Sequence, residues 1–307
     1  MANICVVIPT KNEELTIKSI IRGLRREIEG LGHKVGAIIV TDDSRDSTRK
    51  IAKQEGGIVV NGGGKGLGLA MHKGLKTSLK YHPDIIVSVD GDGQSDLSEI
   101  QKVIRPIIDD EADMVVGSRF QEKGLVKYDY HLVNRIGIFI LVRILRMSTR
   151  MKLTDSHGGL RAMRPEVVEE LEMIGTHTYV QETIIDATEK GFRLKEIPSV
   201  WGKREFGTSR VVGNIPLYMF YTLPVLILRS GHHIKSIYTL GIVFMFLSLL
   251  DFVIVGVQTG FNLGTMFERQ SFHLIALLIS IGLQLFSFGF ILELITQIKY
   301  KVDRLGL

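Results

Sequence analysis

The chain has 307 residues, 45% of them hydrophobic, with a mean hydropathy of +0.19, a formal charge of +5 and a pI of about 9.2. That hydropathy is high for a fully soluble enzyme, and the positive charge suits an anionic partner; nucleic acid, anionic lipid and sugar nucleotides fit it equally. A single cysteine, Cys5, excludes an intrachain disulfide scaffold, and the N-terminus lacks the charged region and long apolar run of a signal peptide.

In chain order, residues 4–8 form a predicted strand ending at Pro9-Thr10, followed by the polar Lys11-Asn12-Glu13-Glu14. Ile17, Ile20, Ile21, Leu24 and Ile28 recur at helical spacing and mark an amphipathic helix. Residues 35–40 read as a second strand closed by Thr41-Asp42-Asp43-Ser44, and Asp46 or Ser47 caps a helix reaching residue 54. Residues 57–60 are a short strand, Asn61-Gly62-Gly63-Gly64-Lys65-Gly66 is a loop, and residues 67–80 are a helix. The run 85–89 is too short and too β-branched for a helix and reads as a buried fourth strand. Asp90 and Asp92 sit where it leaves the sheet, with Gly91 and Gly93 turning the backbone. Asp96 with Glu99 resembles a capping box, and Ile100, Val103, Ile104 and Ile107 give the next helix its apolar face. Residues 113–117 are a fifth strand.

Strand and helix alternate with short connections, which implies an α/β, mostly parallel sheet with helices on both faces and ligands beyond the carboxyl ends of its strands. Three such ends, Thr10 to Glu13, Asp42-Asp43 and Asp90/Asp92, should converge on one rim. Carboxylates one residue apart repel unless a proton or a cation separates them. Mg²⁺ or Mn²⁺ completing its shell with phosphate oxygens is the natural neutraliser; a plain Asp-Gly turn is the bland alternative. Gly64 to Leu69 fails G-x-G-x-x-G at Leu69 and fails the NTPase phosphate loop because no Ser or Thr follows Lys65. Lys65 either lies near nucleotide phosphates or on an ordinary flexible loop.

Together, Pro9-Thr10-Lys11-Asn12-Glu13, Asp42-Asp43-Ser44 with Asp46 and Thr48, Gly64-Lys65-Gly66, Asp90-Gly91-Asp92-Gly93-Gln94 and Gly117-Ser118-Arg119 resemble the family 2 glycosyltransferases with a GT-A fold. Within that family the chain is similar to the dolichyl-phosphate mannose synthase and polyprenyl-phosphate glycosyltransferase branch. The resemblance implies that Pro9, Thr10, Glu13, Asp42, Asp43, Lys65, Asp90 and Gly91 hold the nucleotide sugar. It implies that Asp90, Asp92 and Gln94 surround the Mg²⁺ or Mn²⁺, and that Asp92, Gln94 and Arg119 carry catalysis. The segment from Asp155 to Ala162 is similar to the family's acceptor-side loop, and that from Lys203 to Arg210 to its basic loop, with Arg210 replacing a final lysine. Arg204, Ser209 and Arg210, joined by Arg119 and Arg161, are then expected to bind the acceptor phosphate; a solvated basic loop is the plain alternative. Asp155 and Glu182 are candidates near the donor sugar, and His157 reads as local variation rather than a catalyst.

Residues 236–258, interrupted by Asp251, and residues 272–293 are apolar and long enough, at about 1.5 Å per residue, to cross a hydrocarbon core of about 30 Å. Residues 259–271 suit a hairpin connection. Arg229, Lys235, Lys299, Lys301 and Arg304 flank the outer ends, so the positive-inside rule puts both termini in the cytoplasm. Residues 215–228, with Pro216 and Pro224, read as interfacial helices, and the apolar run 136–145 either covers the acceptor site or is core. The expected organisation is a cytoplasmic catalytic domain over 1–212, interfacial helices over 213–235, two transmembrane helices over 236–298 and a cytoplasmic tail over 299–307.

The expected reaction is metal-dependent, inverting transfer of a hexose from GDP-mannose, UDP-glucose or UDP-GlcNAc to dolichyl or polyprenyl phosphate, at the cell membrane and without nucleic acid. Related two-span enzymes suggest a homo-oligomer. The alternatives are a polysaccharide-extending synthase, disfavoured because no Q-x-x-R-W-like segment is present, and a membrane-tethered sugar-nucleotide binding protein without turnover.

Overall fold

A computed structural model describes residues 1–128, 132–173, 175, 179–204, 206, 222, 226 and 232–305. The chain divides into two compact units, Met1–Leu226 and Ile227–Leu307. In the first, strand β1 (Asn3–Thr10) is apolar on both faces, with Ile4, Cys5, Val6, Val7 and Ile8 fully buried. Such a strand belongs inside a sheet covered on both sides. It is flanked by β2 (Lys34–Asp42) and β4 (Ile85–Ser88), both parallel to it. The order across the described sheet is β3-β2-β1-β4-β6-β5-β7, where β3 is Ile58–Asn61, β5 Met114–Ser118, β6 Arg161–Met163 and β7 Leu194–Pro198.

Period-two alternation splits the packing into two cores. Ile4, Val6, Ile8, Ile38, Val40, Ile85 and Val87 pack under α1 (Ile17–Gly30) and α4 (Ile100–Ile108). Cys5, Val7, Ile39, Ile86 and Val116 face α3 (Leu67–Ser78), α5 (Leu132–Thr149), α6 (Pro165–Glu170) and α7 (Val180–Glu189). The five helical-spacing isoleucines and leucine of α1 are all buried. Burial holds the Cys5 thiol well up, at about 11, so it stays a protonated core side chain.

Two strands escape the sequence reading. β6 is three residues long and runs antiparallel between β4 and β5, and β7 pairs parallel with β5 at the far edge. One cap is also corrected. Asp96 does cap its turn, accepting from Ser98 N at 3.0 Å, and Asp46 caps α2 (Thr48–Gln54), accepting from Thr48 N at 3.0 Å. Glu99, however, is no capping-box partner: its Oε2 accepts from Ser199 Oγ at 2.8 Å and Val200 N at 2.7 Å, binding the start of α4 to the end of β7.

The second unit is a helical hairpin: α8 (His232–Thr259), a short α9 (Leu263–Phe267) capped by Asn262, and α10 (Gln270–Leu305). Ser236–Thr259 and Gln270–Ile295, with mean hydropathies of 2.6 and 2.3, are long and apolar enough to cross a membrane. Their surfaces expose Phe246, Leu250, Val257, Leu277, Leu283 and Phe290 among many others. The helices touch through glycine: a Cβ on Gly241 would lie 2.9 Å from Gly282 O, the close approach typical of lipid-embedded pairs. Ser248 Oγ adds a hydrogen bond to Ile275 O at 2.9 Å. The expected interfacial segment falls mostly outside the described residues.

Candidate active site

Three strand tips meet on one rim. Thr10 Oγ1 donates to Asp42 Oδ1 at 2.9 Å, and Asp43 N donates to Thr10 O at 3.0 Å, joining the ends of β1 and β2. The loop after β4 lies against that junction. A Cβ on Gly91 would be 2.8 Å from Thr10 Cγ2 and 2.9 Å from Pro9 O, so glycine is required for the approach. Gly93, at φ +74°, is required for the turn itself. Thr16 Oγ1 donates to Gly91 O at 2.7 Å. Arg204 then ion-pairs with Glu13 and comes within 3.9 Å of Asp92 Oδ2. Asp42, Asp92 and Glu13 therefore lie at one rim, as the strand ends anticipate, and Arg204, expected from the resemblance at the acceptor phosphate, sits against Glu13 and Asp92.

The structure refines what each acid does there. Asp42 is fully buried, and its second oxygen accepts from Arg49 Nε at 3.1 Å. The group turned outward is thus the half-exposed Arg49, which the sequence reading missed; it lies in the first turn of α2, just after the loop that follows Asp42, and no local pattern marks it. Asp43 Oδ1 accepts from Gly64 N at 2.9 Å and so fixes the glycine loop that carries the exposed Lys65.

Burial, and then the charge of Asp92, push Asp90 up to about 7, against the opposing pull of Arg161, Arg119 and Arg204. Asp92 is also raised by burial, partly offset by the hydrogen bond from Gln94 N and by Arg204. A carboxylate pair in this state favours a bound cation. Among the described residues no group of three or more His, Cys, Asp or Glu side chains is gathered for a metal. Two hard oxygen donors fit an Mg²⁺ or Mn²⁺ that takes the rest of its shell from substrate phosphates and water, and do not suit a closed structural site. Gln94 uses its Nε2 to donate to Gly202 O at 3.1 Å.

Behind the rim stands a buried ion pair. Arg119 Nε and Nη2 donate to the two oxygens of Asp155 at 2.7 and 2.8 Å, and the guanidinium lies 4.9 Å above the Trp201 ring. Despite burial, Arg119 holds Asp155 far below the ordinary carboxylate range. Glu196 of β7 accepts from the backbone N–H of Thr154 and Asp155, which positions the loop. Asp155 and Glu182 are both buried, the latter accepting from Gly175 N at 2.9 Å, so neither offers a surface to a sugar in this conformation.

Arg161 is corrected outright. It was expected on an acceptor loop, but it lies in β6 and is 0% exposed. Its guanidinium donates to Gly158 O, Val180 O and Thr183 Oγ1 at 2.8 to 3.1 Å. Placing residue 161 on a strand opposite Ser88 turns its side chain inward. His157 is buried, and burial with Arg119 pushes it down to about 3, so it is neutral and unsuited to donate a proton at pH 7. Arg204 is in the site, whereas Ser209 and Arg210 fall outside the described residues.

Gly159 is a residue the motif reading passed over. A Cβ there would lie 2.1 Å from Asp90 Oδ2 and 3.2 Å from Trp201 Cζ2. The first of these is the free end of a side chain, so the carboxylate must turn away while the backbone stays. We expect Gly159→Ala to lower turnover by about 10²-fold through misplacement of one reacting-site group, with the melting temperature close to wild type. Gly158→Ala should instead fail to fold well, because its Cβ would meet the backbone Gly117 O at 1.7 Å. Steady-state kinetics beside thermal melts separate the two.

The sheet order, acidic rim and buried arginine define an α/β enzyme of the GT-A glycosyltransferase type. The chain belongs to glycosyl transferase family 2, whose model matches residues 5–172. It is 37% identical over 216 residues to the uncharacterised protein MJ1222 of Methanocaldococcus jannaschii, covering 67% of this chain and 84% of that one. It is 31% identical over 254 residues to the UDP-N-acetylglucosamine–dolichyl-phosphate N-acetylglucosaminyltransferase of Methanococcus voltae, covering 74% and 96%. Its fold matches glucosyl-3-phosphoglycerate synthase from Mycobacterium tuberculosis, crystallised with Mn²⁺, UDP-glucose and phosphoglyceric acid, at a TM-score of 0.55 and 21% identity, covering 75% of this chain and 80% of that one.

Proposed function

We infer that this glycosyltransferase moves a hexose from a nucleotide-diphospho-sugar to the phosphate of a membrane polyprenol, with inversion. The observation that carries the reading is a cavity of about 780 Å³ that Arg119 borders. Arg119, Lys123, Arg135, Arg143 and Arg146 line it together with Ile138, Phe139 and Val142. Cations and apolar side chains in one cavity suit a phosphate carried on a hydrocarbon. The opposite side of α5 leaves Ile136, Ile140 and Met147 exposed, as expected of a helix lying against lipid. The two apolar helices of the second unit would keep enzyme and acceptor in one plane and raise their effective concentration. The dolichyl-phosphate transferase of Methanococcus voltae, which matches nearly end to end, supports the same acceptor class.

Asp90 and Asp92 would hold Mg²⁺ or Mn²⁺, whose contribution when bound is to neutralise negative charge on the departing nucleoside diphosphate. Arg49 would meet the nucleoside side, held there by the buried Asp42 and Thr10 behind it, and Arg119 would face the acceptor. A phosphate monoester has a second pKa of about 6, so its oxygen is largely deprotonated at neutral pH. No strong general base is needed, and the buried, neutral His157 is not required as one.

The test is transfer from labelled GDP-mannose, UDP-glucose and UDP-GlcNAc to polyprenyl phosphate by the full chain in detergent, with Mn²⁺ or EDTA. One sugar per lipid, lost on chelation, is the expected product. A ladder of longer products would point to a polymerising enzyme, and donor hydrolysis alone would overturn the acceptor assignment.

A further inference from the structure

We propose that Arg204 is a counter-ion to the acidic rim and competes with a divalent ion for Asp92. Its guanidinium pairs with Glu13, lies 3.9 Å from Asp92 and is only 18% exposed. This is the position of a counter-ion to the acidic rim rather than of an arginine waiting in solvent.

The backbone leading to it is pinned to the acidic loop. Ser199 and Val200 are tied to Glu99, and Trp201 exchanges backbone hydrogen bonds with Leu125 and Lys127 at 2.9 Å. Gly202 N donates to Gln94 O at 2.8 Å, and Gln94 Nε2 returns a bond to Gly202 O. The chain is therefore held fast to a point two residues before Arg204. What can move is the long side chain, and its reach stays centred on the rim.

A divalent ion on Asp92 would face the guanidinium across a few ångströms, and like charges at that separation repel strongly in a part-buried site. The two cations thus exclude each other. Arg204, once turned from Asp92, would have its guanidinium available to donate to a phosphate on the acceptor. This inference rests on the metal and acceptor readings given above.

The experiment measures Mn²⁺ binding to the full chain without donor, by the electron paramagnetic resonance signal of free Mn²⁺, for wild type, Arg204→Met and Arg204→Lys. If the paired state dominates, Arg204→Met should bind Mn²⁺ about tenfold more tightly than wild type, since the occluded fraction is removed. Arg204→Lys, which keeps the charge, should stay near wild type. The same Met variant should show a raised KM for polyprenyl phosphate. A residue with a merely structural role would weaken both properties when removed. Equal or weaker Mn²⁺ binding by a Met variant that melts like wild type would overturn the proposal. Wild-type transfer that survives EDTA, with no Mn²⁺ bound, would instead remove the metal reading beneath it.

Discussion

Asp92→Asn should lower sugar transfer by about 10³-fold, equivalent to about 4 kcal/mol of lost transition-state stabilisation, the scale expected when a charge-neutralising metal ligand is removed. The loss should not come from unfolding. Asparagine keeps an oxygen for the bond from Gln94 N, now 3.1 Å from Asp92 Oδ1. It also removes the negative charge that helps hold Asp90 up near 7. With that repulsion gone, the metal-free enzyme should melt at or slightly above the wild-type temperature. Lower activity with equal or higher stability is the signature of a site that is strained for function. Single-turnover transfer with labelled donor, beside a calorimetric melt, reads both quantities. Near-wild-type transfer by Asp92→Asn would show that the acidic pair is only a turn.

Much of this site was legible in the sequence because strand ends carry their own markers. The apolar runs of β1, β2 and β4 stop at Thr10, Asp42 and Asp90, and a parallel sheet brings such stops to one edge. Which oxygen faces the ligand was not legible. Asp42 and Asp43 are neighbours, yet one turns into the protein toward Thr10 and Arg49 while the other holds the Gly64 loop. Pattern alone cannot separate adjacent residues on opposite sides of a strand end.

β6 was hidden for a different reason. Three residues, one of them arginine, carry too little alternation to signal a strand, and Arg161 reads as surface until its partners are seen. The charge is tolerated inside because two backbone carbonyls and a hydroxyl receive it and Tyr179 lies 5.2 Å beneath it. Glu99 shows the same limit. A capping box and a long-range anchor have identical local sequence, and only the distance to Ser199, a hundred positions away, decides between them.

Removing the partner of Arg119 should produce the largest loss of stability. Asp155→Asn would leave a buried guanidinium without its carboxylate, a change of about 3–5 kcal/mol when a buried pair loses one member. For a unit of this size that corresponds to a fall of about 6–20 °C in melting temperature. The effect should depend on pH in a defined direction. Asp155 is held below its unfolded value, so its contribution is complete above the ordinary carboxylate range near about 4. It fades as the pH falls toward the depressed value of the folded state. Wild type and Asp155→Asn should therefore differ most at pH 6–7, with the difference starting to shrink only below about pH 4 and closing as the pH approaches the depressed folded-state value. Arg119→Met with Asp155→Leu should be less destabilised than either single change, because neither member of the pair is left buried without its partner, yet it should fail to use polyprenyl phosphate. Arg119→Lys should not rescue, since one ammonium cannot replace a fork that bonds both carboxylate oxygens and stacks on Trp201. A melting temperature for Asp155→Asn within about 2 °C of wild type at neutral pH, less than about 1 kcal/mol in a unit this large, would mean that the pair is solvated in solution and does not hold the back wall of the site.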